Sequence, residues 1–288
     1  MTVIIPTYGR SEMLASSIDS VMAQSVVPRI LVVDDGSEPP AKLHRTDPRL
    51  SLHRLAQNAG GARARNVGVD QASTPWITFL DDDDEWLSGS GALYDVMLPD
   101  EPQADLCYVS GLEVVSADGD KLEQRNAHSR QKGDAWFLEH TPPGSSHLTK
   151  QTFVMPAALF RRIGGFDTGL ESRIHSEFAL RLNGAAAIEA IDRTTYRLRK
   201  HGGAQVSKMP GKRHRGFLHI WRKHEAIIKA HPDGGARWAH DHARRLFQEN
   251  RPSEAIHALW LAFQLNPMSL PASFKIIGLH LRKYIQFN

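Results

Sequence analysis

The chain has 288 residues, of which 41% are hydrophobic, so its composition excludes a wholly disordered protein and allows a sizeable core. Its 35 lysine and arginine residues nearly balance 32 aspartate and glutamate residues, and a net charge of +3 gives no argument for nucleic-acid binding. The single cysteine, Cys107, excludes an intrachain disulfide and a thiolate metal cluster, which fits a reducing compartment.

Up to residue 80, apolar runs typical of strands alternate with apolar residues at helical spacing. The strands are predicted at 3–5, 30–33, 50–52 and 76–80, and the helices at 14–22, with Ser11 as its cap, and at 60–72. Strands that alternate with helices indicate βαβ units. We therefore expect an α/β fold with a mainly parallel sheet flanked by helices.

After residue 100 the pattern changes. The predicted elements are a hairpin of 106–115 with a partner from Lys121, a long loop at 128–150, an apolar β-like run at 153–160, and a helix at 174–182 with Gly184 past its end. From about residue 214 all patterns are helical, and residues 243–267 resemble one helical hairpin of the tetratricopeptide type. This predicts an α-helical C-terminal extension.

Three polar or acidic turns follow predicted strands, and in a parallel sheet they meet at the carboxyl edge. They are Pro6-Thr7-Tyr8, Asp34-Asp35-Gly36-Ser37 and Asp81-Asp82-Asp83-Asp84. Four adjacent carboxylates repel one another unless a cation lies among them, and Mg²⁺ or Mn²⁺ prefers such oxygen ligands. The alternative for the last run is an acidic, solvated turn that caps the next helix.

The sequence argues against a glycine-rich phosphate site. No G-x-G-x-x-G follows the first predicted strand, where Pro6 and Tyr8 stand instead, and no G-x-x-x-x-G-K-[ST] occurs. The phosphates of a nucleotide would therefore be held through a metal ion by carboxylates.

Four segments, 3–10, 32–37, 64–68 and 79–84, resemble the motifs of the family 2 glycosyltransferases in order and spacing. This resemblance implies a GT-A fold, in which a nucleotide-binding α/β half joins an acceptor-binding half. The corresponding domain division is 1–205 for the glycosyltransferase domain, with halves at 1–100 and 101–205, and 206–288 for the helical extension.

The resemblance also implies an inverting, metal-dependent enzyme whose donor is a nucleoside diphosphate sugar, most often a UDP-sugar. The residues that it assigns to nucleotide binding are Pro6, Thr7, Tyr8, Arg10, Asp34, Asp35, Arg65 and Asp82. Asp81 and Asp83 match the family's D-x-D element, which holds Mn²⁺ or Mg²⁺, although which aspartate binds directly stays open. His201 is a further candidate metal ligand, with a structural or exposed histidine as the alternative.

The catalytic base is where the chain departs from its family. Aligned on Arg181, His175 falls at the usual acidic base and Glu177 at the second acid. Glu177, His175 and Glu171 are candidates for the base, with Glu177 narrowly favoured. The alternative is that Glu177 and His175 only support the helix.

The predicted acceptor is a saccharide or a lipid-linked saccharide in cell-surface polysaccharide or glycoconjugate synthesis, and no nucleic-acid partner is expected. Residues 274–287 mix apolar and basic side chains, which suits peripheral membrane contact. No signal peptide or membrane span is visible, so a cytoplasmic location is expected, with contact at the inner face of the membrane. The competing functions are an inactive nucleotide-sugar-binding protein and a nucleotidyltransferase, which lacks its basic glycine-rich loop here.

Overall fold

The computed structural model describes residues 1–134, 152–200 and 211–287, with side chains as far as residue 279. These residues form two compact units, one from 1–134 and 152–200 and the other from residue 211 onward. Each unit has its own hydrophobic core. The predicted ligand His201 and most of the 128–150 loop lie outside the described residues.

The first unit is built on a sheet in which nine strands are described. They are β1 (Thr2–Thr7), β2 (Arg29–Asp34), β3 (Leu50–Arg54), β4 (Trp76–Phe79), β5 (Glu85–Trp86), β6 (Leu106–Val115), β7 (Lys121–Arg125), β8 (Phe153–Pro156) and β9 (Ala187–Arg199). Their order is β3-β2-β1-β4-β8-β6-β9-β5, with β7 paired to β6. The first four strands are parallel, as expected, whereas β8, β7 and β5 pair antiparallel with their neighbours, so the whole sheet is mixed.

The helices of this unit cover the sheet and position residues at its carboxyl edge. They are α1 (Ser11–Met22), α2 (Gly61–Gln71), α3 (Ser90–Met97), α4 (Ala157–Arg162) and α5 (Ile174–Ala185). All six residues of β1 are buried, as in a strand covered on both faces. α2 approaches β1 closely because Gly68 has no side chain, since a Cβ there would lie 2.4 Å from Cγ2 of Ile4.

Three local predictions are wrong. α1 begins at Ser11 itself after Arg10, so Ser11 is not its cap. The apolar run at 153–160 is a strand only to Pro156 and continues as α4, because a short apolar run does not distinguish a buried strand from a buried helix. Gly184 lies inside α5, which continues to Ala185.

The second unit is entirely helical over its described residues, which confirms the predicted helical C-terminal segment. It contains α6 (Lys212–Lys223), α7 (Glu225–Ala230), α8 (Pro232–Gln248), α9 (Pro252–Leu265), a 3-10 turn (Pro267–Ser269) and α10 (Leu270–Phe287). α8 and α9 pack together through small buried side chains such as Ala239, Ala243, Ala258 and Ala262. Among the described helices, none has an apolar stretch long enough to cross a membrane.

Candidate active site

The four aspartates form a turn directly after β4, beside the end of β1. The turn is closed by a hydrogen bond from the amide of Asp84 to the carbonyl of Asp81, at 3.2 Å. Ser17 on α1 donates its hydroxyl to the carbonyls of Asp84 and Asp81, at 2.7 and 3.2 Å. The backbone of the turn, called the aspartate turn below, is therefore fixed by α1.

Two residues from the end of β1 contact the carboxylates of the aspartate turn. Thr7 donates its hydroxyl to Oδ2 of Asp82 at 2.7 Å. Arg10 donates Nη1 to Oδ2 of Asp83 at 2.7 Å and to Oδ1 of Asp82 at 3.3 Å. The structure thus brings together three residues that the sequence assigned to the donor site, Thr7, Arg10 and Asp82, with the predicted ligand Asp83.

Arg65 reaches the same turn from α2. Its guanidinium pairs with the carboxylate of Asp81 and donates Nη1 to the carbonyl of Gly61 at 2.7 Å. The side chain is buried, and its Nε has no hydrogen-bond partner in the part of the chain that the structure describes. An unsatisfied buried donor costs about 1–3 kcal/mol, so an additional acceptor beside Arg65 would be stabilised.

Asp84 is held by strand β9, which the sequence did not connect with this site. The hydroxyl of Tyr196 donates to Oδ2 of Asp84 at 2.6 Å, and the amide of Arg199 donates to Oδ1 at 2.9 Å. The Tyr196 oxygen also accepts the amide of Asp81 at 3.3 Å. Tyr196 lies 112 residues beyond Asp84, and no local sequence signal marks it as a partner.

The environment of the aspartate turn disfavours ionisation of two of its carboxyls. Burial raises the pKa of Asp82 to about 6; the hydrogen bond from Thr7 opposes this rise, and the charge of Asp83 adds to it. Burial and the charges of Asp81 and Asp83 raise the pKa of Asp84 well above its usual range. The turn therefore carries less negative charge near neutral pH than four free aspartates would.

The carboxylate oxygens of the aspartate turn suit a divalent cation. Carboxylate oxygens of Asp81, Asp83 and Asp84 lie within 4.8 Å of one another, and such oxygens are the ligands that Mg²⁺ and Mn²⁺ prefer. Both carboxylate oxygens of Asp84 already accept hydrogen bonds from Tyr196 and Arg199. Asp81 and Asp83 stay the predicted D-x-D ligands, and each also forms an ion pair, with Arg65 and Arg10 respectively.

Asp34, at the end of β2, supports its own loop. It is fully buried, and its two oxygens accept the amides of Ser37 and Ala41 at 2.9 and 3.0 Å. Burial acts against ionisation, but these hydrogen bonds and the nearby Arg54 outweigh it and lower the pKa of Asp34. These contacts are those of a loop-shaping residue, and its direct contact with a nucleotide stays a prediction.

Asp35 joins the loop after β2 to the start of α2. Its oxygens accept the amides of Ala59 and Gly60 at 2.8 and 2.9 Å. The intervening loop approaches so closely that a Cβ on Gly36, whose φ is +74°, would lie 2.5 Å from the carbonyl carbon of Gln57. Asp35 therefore orders the α2 segment that carries Arg65.

The remaining residues of the first motif differ in exposure. Pro6 is buried in β1, and Tyr8 is 54% exposed just beyond the strand. The amide of Gly9 donates to the hydroxyl of Ser37 at 2.9 Å and so ties this loop to the loop after β2. An exposed ring held at the sheet edge is suited to contact a base or ribose.

The candidate base segment lies at the start of α5. Glu177 is fully buried, and Arg181 donates Nε and Nη2 to its two oxygens at 2.7 and 2.6 Å. Arg181 also donates to the carbonyls of Ile163 and Gly165. His175, two residues before Glu177, is partly exposed, and Glu171 is exposed.

α2 also positions the turn that precedes α5. Asn66, next to Arg65, donates Nδ2 to the carbonyl of Phe166 at 2.9 Å, and the amide of Phe166 donates to Oδ1 of Asn66 at 2.8 Å. Gly165 has a φ of +63°, and a Cβ there would lie 2.7 Å from Asn66 Oδ1. One helix therefore holds both the aspartate turn and the approach to the base segment.

Known proteins resemble this chain in sequence and in fold. The uncharacterized glycosyltransferase YwdF of Bacillus subtilis (strain 168) is 28% identical over 189 residues, which cover 63% of this chain and 67% of that protein. The GalNAc(5)-diNAcBac-PP-undecaprenol beta-1,3-glucosyltransferase of Campylobacter jejuni (subsp. jejuni serotype O:2, strain ATCC 700819 / NCTC 11168) is 40% identical over 98 residues, which cover 31% of each chain. The chain thus spans less than a third of the second relative's length.

The structure of residues 1–349 of S. aureus TarS in complex with UDP-GlcNAc matches 98% of this chain and 80% of that chain, with a TM-score of 0.54 and 17% identity. The fold is therefore that of the GT-A glycosyltransferases. The family described as Glycosyl transferase family 2 matches residues 2–135, a little under half of the chain, and this part of the chain is similar to the family 2 glycosyltransferases.

Proposed function

We propose that this chain is an inverting glycosyltransferase that moves a sugar from a nucleoside diphosphate sugar, with UDP as the first candidate, to a saccharide or lipid-linked acceptor. The observation that carries this proposal is the cluster in which Arg10 and Arg65 meet the carboxylates of the aspartate turn. TarS was crystallised with UDP-GlcNAc, and the Campylobacter relative is named for an undecaprenol-linked acceptor. Both support the proposed classes of donor and acceptor.

Metal dependence is part of the proposal. Asp83 and Asp81 would hold Mn²⁺ or Mg²⁺, and the ion would stabilise the negative charge that builds on the leaving diphosphate. Arg10 and Arg65 already contact these carboxylates, so their guanidinium groups are placed to bind phosphate oxygens beside them. The Nε of Arg65, which has no hydrogen-bond partner among the described residues, is one donor for such an oxygen.

Donor recognition would use the loops at the ends of β1 and β2. Tyr8 offers an exposed ring for the base or ribose, and Thr7 orients Asp82 beside it. Asp35 accepts two backbone amides and retains lone pairs on both oxygens for a base N–H. This assignment follows the family pattern and agrees with the position of each residue at the sheet edge.

For the base we favour His175 over Glu177. An inverting transfer needs a group that takes the acceptor proton on the face opposite the leaving group. Glu177 is fully buried, and both of its oxygens already accept from Arg181, whereas His175 is partly exposed. Histidine is the side-chain type that most often serves as a general base. Glu177 would then support α5, and His175 would receive the proton.

One observation favours a second candidate function. The residue at the usual base position is a histidine instead of an acid, and the following acid is occupied by an ion pair. A nucleotide-sugar-binding protein without turnover would retain the aspartate turn and lose the base. Both functions predict donor binding, and only the first predicts transfer.

Release of nucleotide from a panel of UDP-, GDP- and dTDP-sugars, with Mn²⁺ and with a chelator, tests the proposal. We expect slow release from one donor that requires the metal. Binding of a donor without release, also with candidate lipid-linked acceptors present, would favour the non-catalytic protein. Binding of no donor would contradict both functions.

A further inference from the structure

Large exposed hydrophobic side chains are concentrated near the end of the second unit. Of the fourteen such residues among those that the structure describes, seven lie between residues 256 and 279. These are Ile256, Trp260, Phe263, Met268, Leu270, Phe274 and Leu279. Seven such residues within one stretch of 24 exceed the scattered single exposures that need no explanation.

Helix α9 is apolar on two sides, which lie about 120° apart around the helix axis. Its inner side packs into the core of the unit through Ala255, Ala258, Leu259 and Ala262. Its outer face, defined here as Ile256, Trp260 and Phe263, follows the i, i+4, i+7 spacing of a single helical stripe, and Trp260 is 52% exposed. A surface helix that packs on one side normally presents polar residues to water on the other. The outer face of α9 therefore calls for an apolar environment.

The charge of this segment is also distinctive. No aspartate or glutamate follows Glu254, whereas Lys275, Arg282 and Lys283 do follow it. Residues 1–254 contain 32 of the 35 basic side chains and all 32 acidic ones, so their charges cancel. The net charge of +3 therefore comes from residues 255–288. An acid-free, positively charged segment is complementary to an anionic surface.

We propose that the outer face of α9, together with the exposed apolar residues at 268–279, docks onto an anionic lipid bilayer at the level of its head groups. Tryptophan, phenylalanine and aliphatic side chains beside basic residues are the composition of interfacial helices. A second copy of the chain fits this surface less well, because a two-fold contact would pair two copies of the same positively charged segment. The sequence pattern placed membrane contact at 274–287, and the structure extends it to α9.

Vesicle flotation tests this docking surface without any donor or acceptor, so its result is independent of the proposed activity. The wild-type protein should float with vesicles of phosphatidylcholine and phosphatidylglycerol, less with phosphatidylcholine alone, and less at high salt. A variant with Ile256→Ser, Trp260→Ser and Phe263→Ser should lose binding by about tenfold or more, since three apolar side chains no longer enter the interface. Ile227→Ser, on α7 of the same unit, is the matched control and should bind like wild type.

Fluorescence quenching by brominated lipid gives a second measurement with a milder change. Trp260→Phe retains an aromatic ring, so folding and flotation should be preserved, and the bromine-dependent part of the tryptophan quenching should disappear. Circular dichroism confirms that each variant is folded.

Three outcomes would overturn the docking surface: no flotation of the wild type with anionic vesicles, equal loss in the Ile227→Ser control, or quenching that persists in Trp260→Phe. A wild-type dimer that the triple serine variant converts to a monomer, without vesicle binding, would assign the outer face of α9 to contact between copies instead.

Discussion

The two acidic regions of the first unit hold their carboxylates in different ways. In the aspartate turn, partners come from β1, α2 and β9, and the guanidinium of Arg10 is itself about one-third exposed. At the start of α5, Glu177 is fully buried, and its partner Arg181 is anchored by two backbone carbonyls. The first arrangement can exchange a partner for an incoming ligand, whereas the second would have to break a buried ion pair. Proximity of opposite charges therefore does not by itself identify a catalytic carboxylate.

The largest expected effect comes from removing a carboxylate of the aspartate turn. Asp83→Ala should abolish metal-dependent donor binding and reduce transfer by about 1000-fold, because the ion and the leaving diphosphate lose a direct oxygen ligand. Titration calorimetry with the donor, with and without Mn²⁺, measures the binding. Asp19→Ala is a suitable control, since Asp19 pairs with His44 and Arg45 on the exposed side of α1. Equal donor affinity in Asp83→Ala and wild type would remove Asp83 from the site.

The next largest effect distinguishes His175 from Glu177 as the catalytic base. His175→Ala should leave donor binding unchanged and reduce transfer by about 100-fold, the usual contribution of a general base. The pH profile of transfer gives a second readout, because loss of the base should remove its acidic limb. His44→Ala provides a histidine control on the exposed surface.

Glu177→Gln should behave in the opposite way. Breaking its buried pair with Arg181 should lower the free energy of unfolding by about 3 kcal/mol, measured by urea denaturation, and any loss of transfer should follow from that instability. A stable Glu177→Gln protein with normal donor binding and about 100-fold slower transfer would make Glu177 the base, in spite of its buried ion pair.

How much of the site was predictable from sequence depends on distance along the chain. Thr7, Arg10 and the aspartates belong to motifs at the ends of strands, so their common location at one sheet edge follows from the βαβ order. Arg65 reaches this edge from within α2. Tyr196 reaches Asp84 because β9 pairs with β5, the strand that begins directly after Asp84. A single sequence contains no sign of that pairing. The ion pair of Glu177 could have been anticipated, since Arg181 stands at the i+4 position of a predicted helix.

In the fold, too, the sequence predicts local elements and not the pairing of distant strands. Parallel strands and helices in the first eighty or so residues follow from apolar periodicity. The antiparallel strand β8 inserts between β4 and β6 from a position more than seventy residues later, which periodicity does not report. In α9 the sequence shows apolar residues on several sides of the helix, and only the structure distinguishes the packed side from the exposed outer face.

The smallest expected effect is the change of folding stability with pH that Asp82 causes. Asp82 has a pKa of about 6 in the folded protein, above the ordinary value, because burial disfavours its charged form. The folded state therefore binds more protons than the unfolded chain between about pH 4 and pH 6, and the stability of the ligand-free protein should fall as the pH rises through this range, by about 2 kcal/mol. Asp34 affects stability in the opposite direction. Its pKa is lowered, so its ionised form stabilises the folded protein, and this stabilisation is lost only as the pH falls below the ordinary aspartate range.

Asp82→Asn should remove this part of the pH dependence. Urea denaturation of wild type and Asp82→Asn at about pH 4 and about pH 7 measures it, and the difference between the two proteins isolates Asp82 from all other titrating groups. We expect the variant to be relatively more stable at the higher pH, because an amide has no charge to bury. A difference that does not change with pH would mean that Asp82 ionises as easily as a surface aspartate. A ligand would then have to displace a partner of the aspartate turn, because protonation of Asp82 would not lower the charge of the turn.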